Sequence, residues 1–110
     1  MNESTRSRAS QLFRALSNPA RLRITELLCE KDSHGMSVND ICATLELGQS
    51  ATSQNLAMLA QVGVLVAEQK GTSRLYRVRG PRIGRILVLI EEFCHVHSLY
   101  GIPEEEIEPE

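Results

Sequence analysis

Apolar residues at Ala9, Leu12, Phe13 and Leu16 repeat with the spacing of one helix face, and the pattern stops at Ser17-Asn18-Pro19. It predicts a first helix over 8–16, with residues 1–7 in front of it as a flexible arm. Asn18 is a favoured N-cap because its short side chain accepts from a free first-turn N–H, and Pro19 has no N–H to leave unpaired there. A second helix therefore runs through Leu22, Ile24, Leu27 and Leu28 to about Cys29 and ends in the polar segment 31–35. Ser37 followed by Asp40 fits a capping arrangement, and Val38, Ile41, Cys42 and Leu45 then form one apolar stripe. The result is a short third helix, which Gly48 breaks after a tight turn.

Residues 49–62 read as a fourth helix with Thr52, Leu56, Leu59 and Val62 inward, and Gly63 is placed to take a left-handed C-cap. Two strand-forming runs, 64–67 and 75–78, flank Gln69-Lys70-Gly71-Thr72-Ser73, where Gly71 supplies a positive φ. This is a β-hairpin with a basic tip. After Gly80-Pro81 a last helix carries Ile83, Ile86, Leu87, Ile90, Phe93, Cys94 and His97, an apolar stripe longer than so small a core needs. The surplus predicts a subunit interface with Leu12, Ile83, Leu87 and Ile90 in it. Gly101-Ile102-Pro103 ends the helix, which gives a domain over 8–100 and a C-terminal tail over 101–110. The class is mainly α with a small β-hairpin (α+β).

With 110 residues and 42% hydrophobic side chains the chain has the size and composition of one packed domain. Its surface-to-volume ratio is high, so burial of the long apolar helix against a second copy would add stability that the monomer lacks. No apolar run approaches the roughly 20 residues of a membrane span, and the polar start has no apolar signal core behind it, so the expected location is cytoplasmic with no membrane contact. The formal charge of −2 is unevenly spread: Glu104, Glu105, Glu106, Glu108 and Glu110 crowd the tail, and residues 1–103 are net basic by three. The body can therefore approach a polyanion.

The third and fourth helices, joined by Glu46-Leu47-Gly48, form a helix-turn-helix candidate. In that motif the second helix enters the major groove and offers polar side chains from its N-terminal half to base edges. Here that half supplies Gln49, Ser50, Thr52, Ser53, Gln54 and Asn55, with Ser50, Ser53 and Gln54 outward. Lys70, Thr72 and Arg74 at the hairpin tip would reach neighbouring phosphates as a wing. Ser and Gln also suit a plain solvated face. The order of helices, helix-turn-helix and basic hairpin is what favours DNA.

These residues carry a family resemblance. Leu12-Phe13-Arg14-Ala15-Leu16-Ser17-Asn18-Pro19-Ala20-Arg21-Leu22-Arg23-Ile24 resembles the opening helices of ArsR/SmtB repressors. Ser50-Ala51-Thr52-Ser53-Gln54-Asn55-Leu56, Leu59 and Gly63-Val64-Leu65-Val66 are similar to their recognition helix and first wing strand. The resemblance spans roughly Ser10 to His97. It implies a winged helix-turn-helix homodimer, formed by the first and last helices, that represses a double-stranded DNA operator, an inverted repeat, until an inducer binds. The sequence departs from the family at Asn55, where histidine is frequent, and at Ala57, Ala60 and Gln61, where basic residues often stand.

In the family the inducer is usually a metal ion, and in some members a thiol-oxidising or sulfur species. Ser37 and Asn39 stand where a Cys-x-Cys metal pair would begin the third helix, and Gly80, Arg82, Phe93 and Val96 stand at the places of a second known metal site. Three readings stay open. Cys29 and Cys94 resemble the paired thiols of oxidant or persulfide sensors; Cys94, His95 and His97 offer a metal site for zinc or a similar ion; or the cysteines are packing residues and the histidines surface groups. No phosphate loop, nucleophile elbow or His-Glu-x-x-His run is present, which gives no support to an enzyme. The rival to a repressor is a winged-helix adaptor that binds protein, which the recognition helix without Lys or Arg and the acidic tail would suit.

Overall fold

The computed structural model describes residues 1–31 and 34–96. Five helices and three strands follow in the order α1 (Glu3–Leu16), α2 (Pro19–Glu30), β1 (Met36–Ser37), α3 (Val38–Leu45), α4 (Gln49–Gln61), β2 (Leu65–Lys70), β3 (Ser73–Val78) and α5 (Pro81–Val96). The winged helix-turn-helix and its class match the expectation. Two elements differ from it. Residues 3–7, expected as a flexible arm, belong to α1, because Asn2 Oδ1 accepts from Thr5 N at 2.8 Å and starts the helix there. The two-residue β1 lies outside the predicted elements; it pairs antiparallel with β3 (Met36 opposite Tyr76, Ser37 opposite Leu75) and gives the sheet order β1-β3-β2.

Local chemistry sets most boundaries. Asn18 Oδ1 accepts from Arg21 N at 3.0 Å with Pro19 in the first turn of α2, and Ser37 Oγ accepts from Asp40 N at 3.2 Å at the start of α3. Gly63 closes α4 with φ +85°, and Gly71 turns the hairpin with φ +61°. The break between α3 and α4 lies elsewhere than at Gly48. Glu46 takes the left-handed conformation (φ 56°, ψ 50°), and Gly48 is the extended N-cap of α4.

The core gathers one face from each of α2, α3 and α4 onto the hairpin. Ile24, Leu28, Ile41, Leu56, Leu59 and Leu65 are its largest fully buried side chains, and each such burial is worth about 1.5–3 kcal/mol. Arg79 fastens the end of β3 to the α4–β2 junction: its Nε donates to Gly63 O at 2.9 Å and its N–H to Val64 O at 3.0 Å. No residue of α5 is buried, although Ile83 packs against the core. No helix among the described residues is long and apolar enough to cross a membrane.

Candidate nucleic-acid interface

Helix α4 is held by Thr52, Leu56 and Leu59, all buried, which turns Ser50, Ser53, Gln54 and Ala57 to solvent as one continuous face, with Gln49 at its start. Gly48 has no side chain to cap α4, so the first-turn N–H groups lack a side-chain acceptor and carry the positive end of the helix dipole. The hairpin extends beside this helix, and Lys70, Thr72 and Arg74 are exposed at its tip. Arg74 is braced rather than loose: its Nε donates to the Tyr76 hydroxyl at 3.2 Å and its guanidinium lies 5.7 Å from the ring centre. Three residues further along β3, Arg77 Nε donates to Glu68 Oε1 of β2 at 2.6 Å, which ties the two strands of the wing together.

Two of the expected DNA-facing residues are placed differently. Thr52 is 1% exposed and belongs to the core, so it cannot reach a base edge from this conformation. Asn55 is half-buried, and its Oδ1 is taken by Arg21 Nη1 at 3.2 Å. Both belong to the polar N-terminal half of α4, but helix phase turns Thr52 into the buried stripe, as its spacing predicts, and sets Asn55 beside that stripe.

The residues expected at a subunit interface differ in their exposure within the single chain. Leu12 and Ile83 pack against the core of their own chain, and Leu87 is half-buried, while Ile90 is 38% exposed. The open apolar surface is carried by Phe13 (63% exposed) on α1 and by Val88, Leu89 (64%), Phe93 and Val96 (75%) with Ile90 on α5. Phe13 is legible only as a member of the α1 stripe and Leu89 lies outside the α5 stripe, since periodicity does not say which side of a nearly all-apolar helix meets its own domain.

Cys29, Cys42 and Cys94 are free and half-buried. Cys29 lies where α2 meets the start of α5; a Cβ built on Gly84 would sit 3.9 Å from its Sγ. Gly84 and Cys94 stand ten positions apart on α5, about 15 Å of helix rise. Cys29 thus meets the start of α5, whereas Cys94 lies near its other end. Burial pushes the Cys29 thiol above its ordinary pKa, and the carboxylates of Glu26 and Glu30 push it further in the same direction. The metal reading does not gain a donor set: Cys94 and His95 are neighbours on α5, His95 lies 4.0 Å from Glu91, and His97 lies outside the described residues, as does the acidic tail. Among the described residues no three His, Cys, Asp or Glu side chains come together as a metal site.

Residues 18–66 match the family model described as bacterial regulatory protein, arsR family. An HTH-type transcriptional regulator of Mycobacterium tuberculosis, Rv0081, is 35% identical over 81 residues, which cover 73% of this chain and 68% of that protein. Its crystal structure superposes with a TM-score of 0.73 over 87% of this chain and 93% of that one, at 29% identity. A regulator from Methanocaldococcus jannaschii, MJ1325, is 33% identical over 85 residues, 77% of this chain and 93% of its own length. The solution structure of a homodimeric winged helix-turn-helix DNA-binding domain from Mycobacterium bovis shares the fold, with a TM-score of 0.76 over 94% of this chain and 96% of that one at 22% identity.

Proposed function

The chain belongs to the arsR family of bacterial regulatory proteins, and from that premise we propose that it is a sequence-specific DNA-binding transcriptional regulator working as a homodimer. Helix α4 lies in a major groove with Gln49, Ser50, Ser53 and Gln54 toward base edges, while its uncapped N-terminal N–H groups and Lys70, Thr72 and Arg74 of the wing hold flanking phosphates. The open apolar face of α5, with Phe13, covers itself against a second copy; the M. bovis domain of the same fold is itself homodimeric. Two reading helices related by a two-fold axis then match an inverted-repeat operator. Bound there the dimer excludes other proteins from the promoter and represses.

Release runs through the packing of α2 on α5. Cys29 lies in that packing against Gly84, so a thiol-reactive sulfur species or oxidant that enlarges its side chain would press the two helices apart. The observation that carries the DNA reading is the outward polar face of α4 in a domain that also presents a braced basic wing. A randomised duplex library tests it. The chain is expected to enrich one inverted repeat and to lose affinity for it as salt rises, with a slope set by the phosphates it neutralises. A protein adaptor would enrich no duplex.

A further inference from the structure

Asn55 lies on the reading helix yet points back into the protein. Its Oδ1 accepts from Arg21 Nη1 at 3.2 Å, and the same guanidinium donates through Nε to Ala15 O at 2.5 Å and through Nη2 to Arg14 O at 3.4 Å. Those two carbonyls end α1, where the helix dipole leaves partial negative charge, so Arg21 stands at a junction of its own α2, the end of α1 and the middle of α4. Among the described residues no carboxylate pairs with it.

Helix α4 needs such a tie. Gly48 anchors its N-terminus with no side chain, and its grip on the core through Thr52, Leu56 and Leu59 is close-packed but not directional. A hydrogen bond is directional, and the one at Asn55 fixes the roll of the helix about its own axis. The same guanidinium grips α1, which carries the exposed Phe13, so the interface helix and the reading helix share one anchor.

We propose that Arg21 and Asn55 form a clamp that sets the roll of α4 relative to α1, so that Asn55 is a positioning residue for Ser50, Ser53 and Gln54 and does not itself read a base. The inference rests on the DNA-binding reading above. Its test uses the full chain and the duplex that wild type enriches from a randomised library, with Asn55→Ala, Arg21→Met and the double variant. Asn55→Ala is expected to lower affinity roughly tenfold, by the same factor for every single-base variant of that duplex. The double variant is expected to bind no more weakly than Arg21→Met alone. In Asn55→Ala the amides of 49–54 exchange with deuterium faster than in wild type while those of α2 and β3 do not change, which a general loss of stability would not produce.

Loss of preference at one base pair in Asn55→Ala, or losses that simply add in the double variant, would overturn the clamp. If Arg21→Met fails to fold by circular dichroism, the base-variant profile and the exchange pattern of Asn55→Ala decide alone. Enrichment of no duplex by wild type is a separate result, which removes the DNA-binding reading and this inference with it.

Discussion

Leu89 is the residue on which the dimer can be weighed. It sits mid-way along α5 with 64% of its surface open, flanked by the exposed Val88 and Ile90. Full burial of a leucine side chain is worth about 1.5–3 kcal/mol, so covering the open two thirds contributes about 1–2 kcal/mol per copy. A two-fold interface counts each change twice, which brings Leu89→Ala to about 2–4 kcal/mol, roughly a 30- to 700-fold weaker dimer. The substitution leaves the fold intact, because no residue of α5 is buried in its own domain. Sedimentation velocity across a concentration series reads the dissociation constant directly, and thermal melts of the monomer check the fold. A dimer unaffected by Leu89→Ala, or a wild type that stays monomeric throughout the series, would refute the assignment of this face.

Further outcomes follow from the same geometry. Ser53→Ala with Gln54→Ala removes the centre of the outward α4 face and is expected to weaken binding to the enriched duplex by about 1–3 kcal/mol with unchanged dimerisation in sedimentation. Lys70→Ala and Arg74→Ala are each expected to reduce the slope of log affinity against log salt by about one, uniformly over duplex sequences, as measured by fluorescence anisotropy. Because burial and two neighbouring carboxylates raise its pKa, Cys29 is thiolate at neutral pH less often than an ordinary thiol. Its alkylation by iodoacetamide, followed by intact mass, should be slow at pH 7 and accelerate as pH rises past the usual thiol range. The sign for stability is the reverse: the raised folded-state pKa means that stability is complete below the unfolded thiol's pKa and falls as pH climbs through the folded one. Cys29→Ser should abolish that part of the pH dependence.

What could be read from the sequence was what local chemistry decides. Asn18 with Pro19, Ser37 with Asp40, Gly63 and Gly71 act within a few residues of themselves, and each stands where the pattern put it. The start of α1 escaped because its first two turns are polar and exposed, so the apolar stripe begins only at Ala9; the informative residue was Asn2. Strand β1 escaped because two residues carry no alternation, and its partner Tyr76 lies forty positions away. Gly35 prepares that pairing: a Cβ there would meet Tyr76 O at 3.0 Å, and its φ is +78°. Thr52 is inward as the helix spacing predicts, so its place among the DNA-facing residues conflicts with its own helix phase; Asn55 differs because its oxygen is spent on an arginine of another helix, a contact no local pattern encodes. The separation of Cys29 from Cys94 depends on how α2 crosses α5, which no single segment encodes.

The most direct measurement is a backbone amide NMR titration of the dimer with its enriched duplex. The largest shift changes are expected on 49–54 and 70–74, with the amides of 84–96 little moved. Changes centred on α5 instead, or a spectrum indifferent to the duplex, would contradict the DNA-binding reading.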